Sequence, residues 1–239
     1  MISLFSQGKG LVTGHIWRQN ENVSREQSEK TWKANDIERT AKVVCSFHNG
    51  GLMSDIETDT KPILSKLITN PRGLMKLAKE NQRIIANWVI LRAMVIDRAR
   101  QTTFCFIDEE IRCFHDAARK DRKPWPNTHV WMGTVEDDNQ WGVTCQLYSR
   151  TSSDGAKSIK RFNLRLGEIV IQVFGRYGLS TLGFTDRAGT VDFRKLHDPF
   201  WNEYAIRIWP RSINHRSWPP PQPLGPPQLG ALFNRFWVG

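Results

Sequence analysis

The feature that most constrains the fold of this chain is the stretch from Lys42 to Leu64, which places two potential metal ligands ahead of a helix. Cys45 and His48 are separated by two residues, and this spacing lets one tight turn offer a thiolate and an imidazole to a single metal ion. The pair Gly50-Gly51 then interrupts the chain. Ser54 is a residue type that commonly caps a helix N-terminus. The stretch therefore predicts a knuckle, a break and a helix in close succession.

A further histidine lies upstream of this stretch. Met1 to Trp17 is short, rich in glycine and locally apolar, which suits a hairpin that ends with His15. The polar residues 18–41, which are mixed in sign, predict an insertion loop or a solvated helix with Trp32 as its anchor. A histidine on a strand, followed by a knuckle and a helix, is the order expected of a small ββα unit supported by metal.

Two motifs and several shorter segments carry a resemblance to a known family. The first motif is Thr13-Gly14-His15-Ile16-Trp17, and the second is Val44-Cys45-Ser46-Phe47-His48-Asn49-Gly50-Gly51-Leu52-Met53-Ser54. They resemble the motifs of bacterial and phage HNH-endonuclease-like proteins, which usually read Glu-His-Ile/Val-Trp-Pro and Cys-x-x-Cys-Asn-x-Gly-Trp-Met-Ser. Shorter similar segments extend the resemblance over nearly the whole chain: Lys61–Leu64, Val130–Gly133, Ile208–Pro210 and Trp218–Pro221.

The resemblance implies a nuclease that hydrolyses phosphodiester bonds with the help of a metal ion. In the HNH class the first histidine is the general base that takes a proton from the attacking water. A divalent cation, usually magnesium, stabilises the charge on the leaving oxygen. Carried over by position, His15 is the base and Asn49 is the third-position metal ligand. Asn35 is the candidate for the middle asparagine of the signature, and a surface asparagine is the alternative.

The sequence departs from the family pattern where metals would bind. Gly14 stands where the acidic ligand belongs, and residues 2–6 lack the Cys-x-x-Cys pair that usually precedes the histidine. Structural zinc requires about four ligands, and only Cys45 and His48 are nearby in sequence. We therefore expect zinc to be absent or substoichiometric, and Phe5 with its neighbours to support the finger by apolar packing. The alternative role of Cys45 is a buried thiol, and that of His48 is a turn histidine.

The charge of the chain indicates a polyanionic partner. Its 239 residues carry a net charge of +10, with a pI of about 9.7, and each phosphate that a basic protein neutralises releases a counterion. We expect nucleic acid, DNA foremost, as the partner, and a solvated surface charge is the alternative. No apolar run reaches the roughly 18 residues of a membrane span, so no membrane partner is expected. The 4 cysteines form no regular framework, which favours a reducing, cytoplasmic setting.

Two cationic clusters are the candidate phosphate contacts. The first follows a predicted helix, with a solvated helix end as the alternative, and comprises Arg119, Lys120, Arg122 and Lys123. The second lies on the outward face of a predicted β-hairpin and comprises Lys160, Arg161 and Arg165.

The chain is predicted to be α+β and to have three parts. Residues 1–69 would form a degenerate HNH-type ββα finger and the start of its helix, residues 70–125 a helical core segment, and residues 126–239 an antiparallel β region. Apolar residues at helical spacing predict a helix over Leu74–Arg98. A second helix is predicted over Asp108–Arg122, with its first residue as the N-cap.

Alternation and proline content predict the remaining elements. Phe162, Leu164 and Leu166 alternate with polar residues, and Gly167-Glu168 suits a two-residue turn into the next strand. The proline-rich end, Pro210–Pro227, predicts an extended segment that wraps the surface and is held there by Trp218.

Two functions remain open from the sequence. The first is a divergent HNH-type endonuclease that acts on DNA through His15 and Asn49. The second is a non-catalytic nucleic-acid-binding or structural remnant of the same family, which Gly14 and the missing cysteine pair favour.

Overall fold

The computed structural model of the protein contains helices and antiparallel strands, so its fold class is α+β, as the sequence predicts. No helix within the described part of the chain is both long enough and apolar enough to cross a membrane. The described residues are 12–17, 27–32, 49–98, 106–125, 127–136, 143–151, 158–177, 183–186, 189–192, 201–210 and 214–229.

Two short strands form an antiparallel pair near the start of the chain: β1 (Val12–Trp17) and β2 (Gln27–Trp32). Their register sets His15 opposite Glu29. The loop or solvated helix predicted for residues 18–41 is therefore wrong over β2, because that segment completes the ladder that β1 begins. Strand β1, which contains His15, pairs with the later strand β2, whereas the sequence predicted a hairpin within residues 1–17 that ends with His15.

Three helices form one layer: α1 (Ser54–Thr69), α2 (Lys79–Arg98) and α3 (Asp108–Asp121). A short strand, β3 (Met75–Ala78), lies in the chain between α1 and α2. Helix α1 packs against α2, and Leu64, Leu67 and Ile85 belong to one buried cluster between them. An ion pair between Glu57 and Arg92 also joins the two helices. Helices α1 and α2 are thus held together by an apolar seam with a charged pair at its side.

The helix starts differ by one residue from the predicted caps. Helix α1 continues directly from a π-helical turn, Asn49–Met53, so Ser54 is its first residue. Helix α3 is capped at Ile107, whose N–H donates to Glu110 Oε2 at 2.8 Å. The predicted cap, Asp108, is instead the first helical residue. In each case the predicted cap is instead the first residue of the helix.

A five-stranded antiparallel sheet forms the second layer. The elements of this part of the chain are β4 (Thr128–Thr134), β5 (Val143–Thr151), β6 (Ser158–Leu166), β7 (Ile169–Tyr177), a small hairpin of β8 (Gly183–Asp186) and β9 (Gly189–Asp192), the short helix α4 (Trp201–Tyr204), and β10 (Ala205–Trp209). The sheet order is β10-β4-β7-β6-β5. The predicted turn between β6 and β7 is confirmed, since Leu166 pairs with Ile169 and Gly167 has a φ of 59°, which glycine adopts without strain.

One face of the sheet packs on the helices and shares a core with them. Strand alternation brings the apolar residues of four strands to this face, and these residues are buried: Val130, Met132, Phe162, Leu164, Leu166, Ile169, Ile171, Val173, Ile206 and Ile208. They form one cluster with the apolar stripes of the three helices. The core therefore lies between the helical layer and the sheet.

The other face of the sheet is also buried, and here a sequence prediction is wrong. Alternation places Arg161, Asn163 and Gln172 away from the helices, yet each is at most 3% exposed. Lys160 lies on the helix side with Phe162, and only 2% of its side chain is exposed. Lys160 and Arg161 therefore do not form the solvated positive face that was expected of this hairpin, because both faces of the sheet are buried at these positions.

The proline-rich segment contributes a strand to the helical half. Strand β11 (His215–Trp218) pairs antiparallel with β3. The helix predicted from Leu74 therefore begins later, at Lys79, because the residues before it are committed to this pairing. Trp218 is fully buried, and its Nε1 donates to the carbonyl oxygen of Pro71 at 2.9 Å. The predicted anchoring by Trp218 is thus confirmed, although part of the segment is a strand.

Candidate functional site

A cleft of about 280 Å³ opens among α1, α2 and α3. It lies directly beside the second sequence motif, because Gly51 and Leu52 of the π-helical turn form part of its wall. The rest of the wall comes from the first turns of α1, the first half of α2 and the last turns of α3. Two residues of the second motif therefore line this cleft.

The inner surface of the cleft is apolar. Ile56 of α1, Ile84 of α2 and Ala118 of α3 line it, and the first and last of these are buried. Each helix turns its apolar stripe toward the shared core, and the cleft lies where the three stripes end. Such a floor suits the flat or hydrophobic part of a ligand.

Charged side chains of both signs line the same cleft. Asp55 and Asp59 lie one turn apart on α1, and Arg119 and Arg122 lie on one side of the end of α3. Asp59 accepts a hydrogen bond from Arg122 Nη1 at 2.8 Å. Neither Asp55 nor Arg119 has an ion-pair partner within the part of the chain that the structure describes. The carboxylate of Asp55 and the guanidinium of Arg119 are thus available to a ligand.

A buried amide completes the cleft. Asn87 lines it but is only 5% exposed. Its Nδ2 donates to the carbonyl oxygen of Arg122 at 2.9 Å, whereas its Oδ1 has no hydrogen-bond partner. Arg122 adopts the left-handed conformation (φ 49°) that ends α3. The amide therefore fixes the end of α3 and leaves one acceptor unsatisfied beside the cleft.

The first predicted cationic cluster is exposed and contiguous. Arg119, Lys120, Arg122 and Lys123 are all exposed at the end of α3, and we call them the helix-end cluster. The two arginines line the cleft, and the two lysines lie outside its wall. The predicted surface position is thus confirmed, and nucleic-acid binding by these residues stays a prediction.

The second predicted cationic cluster, which we call the strand cluster (Lys160, Arg161 and Arg165), is buried or half-buried. The Nζ of Lys160 donates to Oε1 of Glu110 on α3, and it also lies over the ring of Phe106, 5.3 Å from its centroid. Burial raises the pKa of Glu110, and the charge of Lys160 opposes this rise. Arg165 Nε donates to the carbonyl oxygen of Gly167 at 2.8 Å. These contacts join elements of the fold.

The residues of the predicted catalytic site are described in part. His15 lies in β1, opposite Glu29, and Asn49 is the first residue of the π-helical turn that leads into α1. Asn35, Cys45 and His48 lie outside the described residues. Among the described side chains, no group of three His, Cys, Asp or Glu is arranged to hold a metal ion. The pairing of His15 with Asn49 therefore stays a prediction.

Sequence reasoning missed the acidic wall and the amide of the cleft. Asp55 and Asp59 have the spacing that puts two carboxylates on one side of a helix. Asn87 interrupts the apolar stripe of α2, between Ala86 and Trp88, and a polar residue at such a position requires a partner. These two signals are present in the sequence, but they do not indicate that three helices meet there.

The resemblance to HNH-endonuclease-like proteins depends on the motifs at Thr13–Trp17 and Val44–Ser54. Comparison of the chain with protein-family models, with curated proteins and with solved structures finds no match.

Proposed function

We propose that this protein binds DNA through the helix-end cluster and acts on it as a divergent HNH-type endonuclease. One observation carries the proposal: four exposed cations lie together at the end of α3, beside a cleft whose wall begins in the HNH-like motif. The net charge of +10 supports the same partner.

Binding would be electrostatic and independent of sequence. Arginine and lysine side chains at a helix end can each neutralise a phosphate, and each neutralised phosphate contributes about −0.9 to the slope of log K against log salt. The four residues of the helix-end cluster would then give a slope of at most about −3.6 on duplex DNA, because Arg122 is already ion-paired with Asp59. Contacts of this kind position a strand near the cleft without reading its bases.

Hydrolysis would depend on one residue from each motif, His15 and Asn49. His15 would take the proton of the attacking water, and the amide oxygen of Asn49 would serve as an oxygen ligand for magnesium. A magnesium ion in such a site supplies charge stabilisation at the leaving oxygen. The backbone order supports this arrangement, because a strand pair containing His15 precedes the turn and helix that begin at Asn49.

The donor set fits magnesium only in part. Gly14 occupies the position of the usual acid, and an amide oxygen alone is a weak substitute for a carboxylate ligand. This disagreement supports the second candidate, a non-catalytic protein of the same family that binds nucleic acid. The two candidates share the DNA surface and differ only in hydrolysis.

A nicking assay separates the two candidates. Supercoiled plasmid is incubated with the protein and magnesium, and His15→Ala is expected to abolish any nicking because it removes the proton acceptor, while binding of duplex DNA stays unchanged. Nicking by His15→Ala at the rate of the parent would exclude His15 as the base. Binding without nicking by the parent would select the second candidate.

Metal analysis tests the degenerate finger. We expect zinc to be absent or substoichiometric in the purified protein, because Cys45 and His48 supply only two of about four ligands. Cys45→Ala should then cost only a modest packing defect and leave the N-terminal region folded. Stoichiometric zinc that Cys45→Ala releases, with loss of fold there, would show the finger to be intact.

A further inference from the structure

The cleft presents three groups without a described partner, and their chemistry is complementary. Arg119 offers a positive charge, Asp55 a negative charge, and Asn87 Oδ1 a hydrogen-bond acceptor. A ligand that satisfies all three carries an anionic group at one end and N–H donors at the other.

The size of the cleft limits the ligand. Small-molecule sites measure roughly 300–1,000 Å³, and this cleft, at about 280 Å³, is slightly smaller than that range. It has room for one small planar group with a short anionic arm, and a duplex cannot enter it. The apolar side chains of Ile56 and Ile84 provide the surface on which such a ring would lie.

The helix-end cluster indicates how such a ligand would arrive. Lys120 and Lys123 are exposed next to the cleft, although they do not line it. A strand whose phosphates follow these lysines would bring its next phosphate to Arg119, at the wall of the cleft. An unpaired base attached to that phosphate would then face the apolar floor and Asn87.

We propose that the cleft binds one unpaired nucleotide, with its phosphate against Arg119 and the exocyclic amino group of its base donating to Asn87 Oδ1. In asparagine–adenine pairs the amide oxygen accepts from the exocyclic amino group of the base. Asn87 offers this half of the pair, because its Nδ2 is bonded to the carbonyl oxygen of Arg122, and Asp55 can accept a further N–H from the ligand. The inference rests on the proposed DNA-binding function and extends it from phosphate contact to a preference for amino-bearing bases on unpaired strands.

Titration calorimetry with mononucleotides tests the inference. The probes are dAMP, dCMP and dTMP, with inorganic phosphate and L-alanine as controls. We expect dAMP and dCMP to bind, and dTMP, which has no exocyclic amino group, to bind about tenfold more weakly. Equal binding of all three nucleotides, equal binding of phosphate alone, or preferential binding of L-alanine would overturn the proposal.

Two arginines of α3 supply a matched pair of variants. Arg119→Gln removes the cation that lines the cleft and should weaken dAMP binding about tenfold. Arg112→Gln removes the same charge from an exposed residue that does not line the cleft and should change dAMP binding less than about twofold. Equal effects of the two variants would overturn the assignment of the phosphate to Arg119.

The amide is tested separately, because Asn87 also holds the end of α3. Asn87→Leu should remove the preference of dAMP over dTMP, and its folding is checked by circular dichroism. If it fails to fold, the comparison of dAMP with dTMP on the parent protein and the pair Arg119→Gln and Arg112→Gln still decide the proposal.

Duplex DNA distinguishes this inference from the function on which it rests. Salt-dependent duplex binding without binding of dAMP would overturn the nucleotide site and leave the proposed function intact. Absence of both would overturn both.

Discussion

The helix-end cluster and the strand cluster look alike in the sequence and differ in the folded protein. Both are short groups of arginine and lysine in elements that the sequence places correctly. The helix-end cluster is exposed, and two of its members line a cleft. In the strand cluster, Lys160 and Arg161 are each 3% exposed. One group lies at the protein surface, and two of the three members of the other lie in its interior.

The difference teaches what alternation can and cannot predict. The prediction placed Lys160 and Arg161 on one outward face, which was wrong, because the two residues are neighbours in the sequence. A period of two residues assigns such neighbours to opposite faces of a strand. It does not reveal whether each face meets water. On the helix face Lys160 meets Glu110, and on the other face Arg161 is covered along with Asn163 and Gln172.

The largest expected effect concerns Lys160. Lys160→Met leaves Glu110 buried without its cation, and removal of one partner of a buried ion pair costs about 3–5 kcal/mol. Urea unfolding monitored by tryptophan fluorescence measures the loss. The matched change Lys120→Met, at an exposed residue, should alter the free energy of unfolding by less than about 0.5 kcal/mol. Equal losses would abolish the distinction between the two clusters, and Lys160→Met combined with Glu110→Met should recover much of the lost stability.

An intermediate effect is expected on DNA binding. Replacement of all four residues of the helix-end cluster by glutamine should reduce the salt slope of duplex binding by at most about 3.6 and leave the unfolding curve nearly unchanged. Arg165→Gln is the control from the strand cluster, since its side chain is half-buried and bound to Gly167. A reduction of the slope by about one for Arg165→Gln would mean that both clusters reach the DNA.

The smallest effect is a pH dependence at Glu110. Burial raises the pKa of this carboxyl in the folded protein, against the attraction of Lys160. In the window from the ordinary glutamate pKa up to the raised value, the folded protein holds a proton that the unfolded chain has released. The contribution of Glu110 to the free energy of unfolding therefore falls as the pH rises through this window. Glu110→Gln should lose this contribution, and denaturant titrations at several pH values measure it. An unchanged pH profile in the variant would contradict the raised pKa.

Much of the fold was predictable because it is encoded locally. The turn at Gly167 is specified by a glycine between two alternating segments, and α3 by an apolar stripe containing Phe114 and Ala118. The start of α2 was not predictable, because β3 is too short to be recognised without β11, which lies far along the chain. The cleft itself was not predicted, because it depends on how three helices pack, and of its lining residues only Arg119 and Arg122 were predicted, as phosphate contacts.

The pairing of β3 with β11 has a consequence for how the chain is made. Residues 75–78 are synthesised long before residues 215–218, with which they pair. During translation α1 and α2 can form early, but β3 has no partner strand until β11 has been made. The carbonyl oxygen of Pro71 likewise lacks the hydrogen bond from Trp218 until Trp218 leaves the ribosome. An open strand edge is a surface on which other chains can aggregate. The proline-rich segment thus determines when the helical half is complete, and a nascent chain that stops before His215 would be a substrate for chaperones.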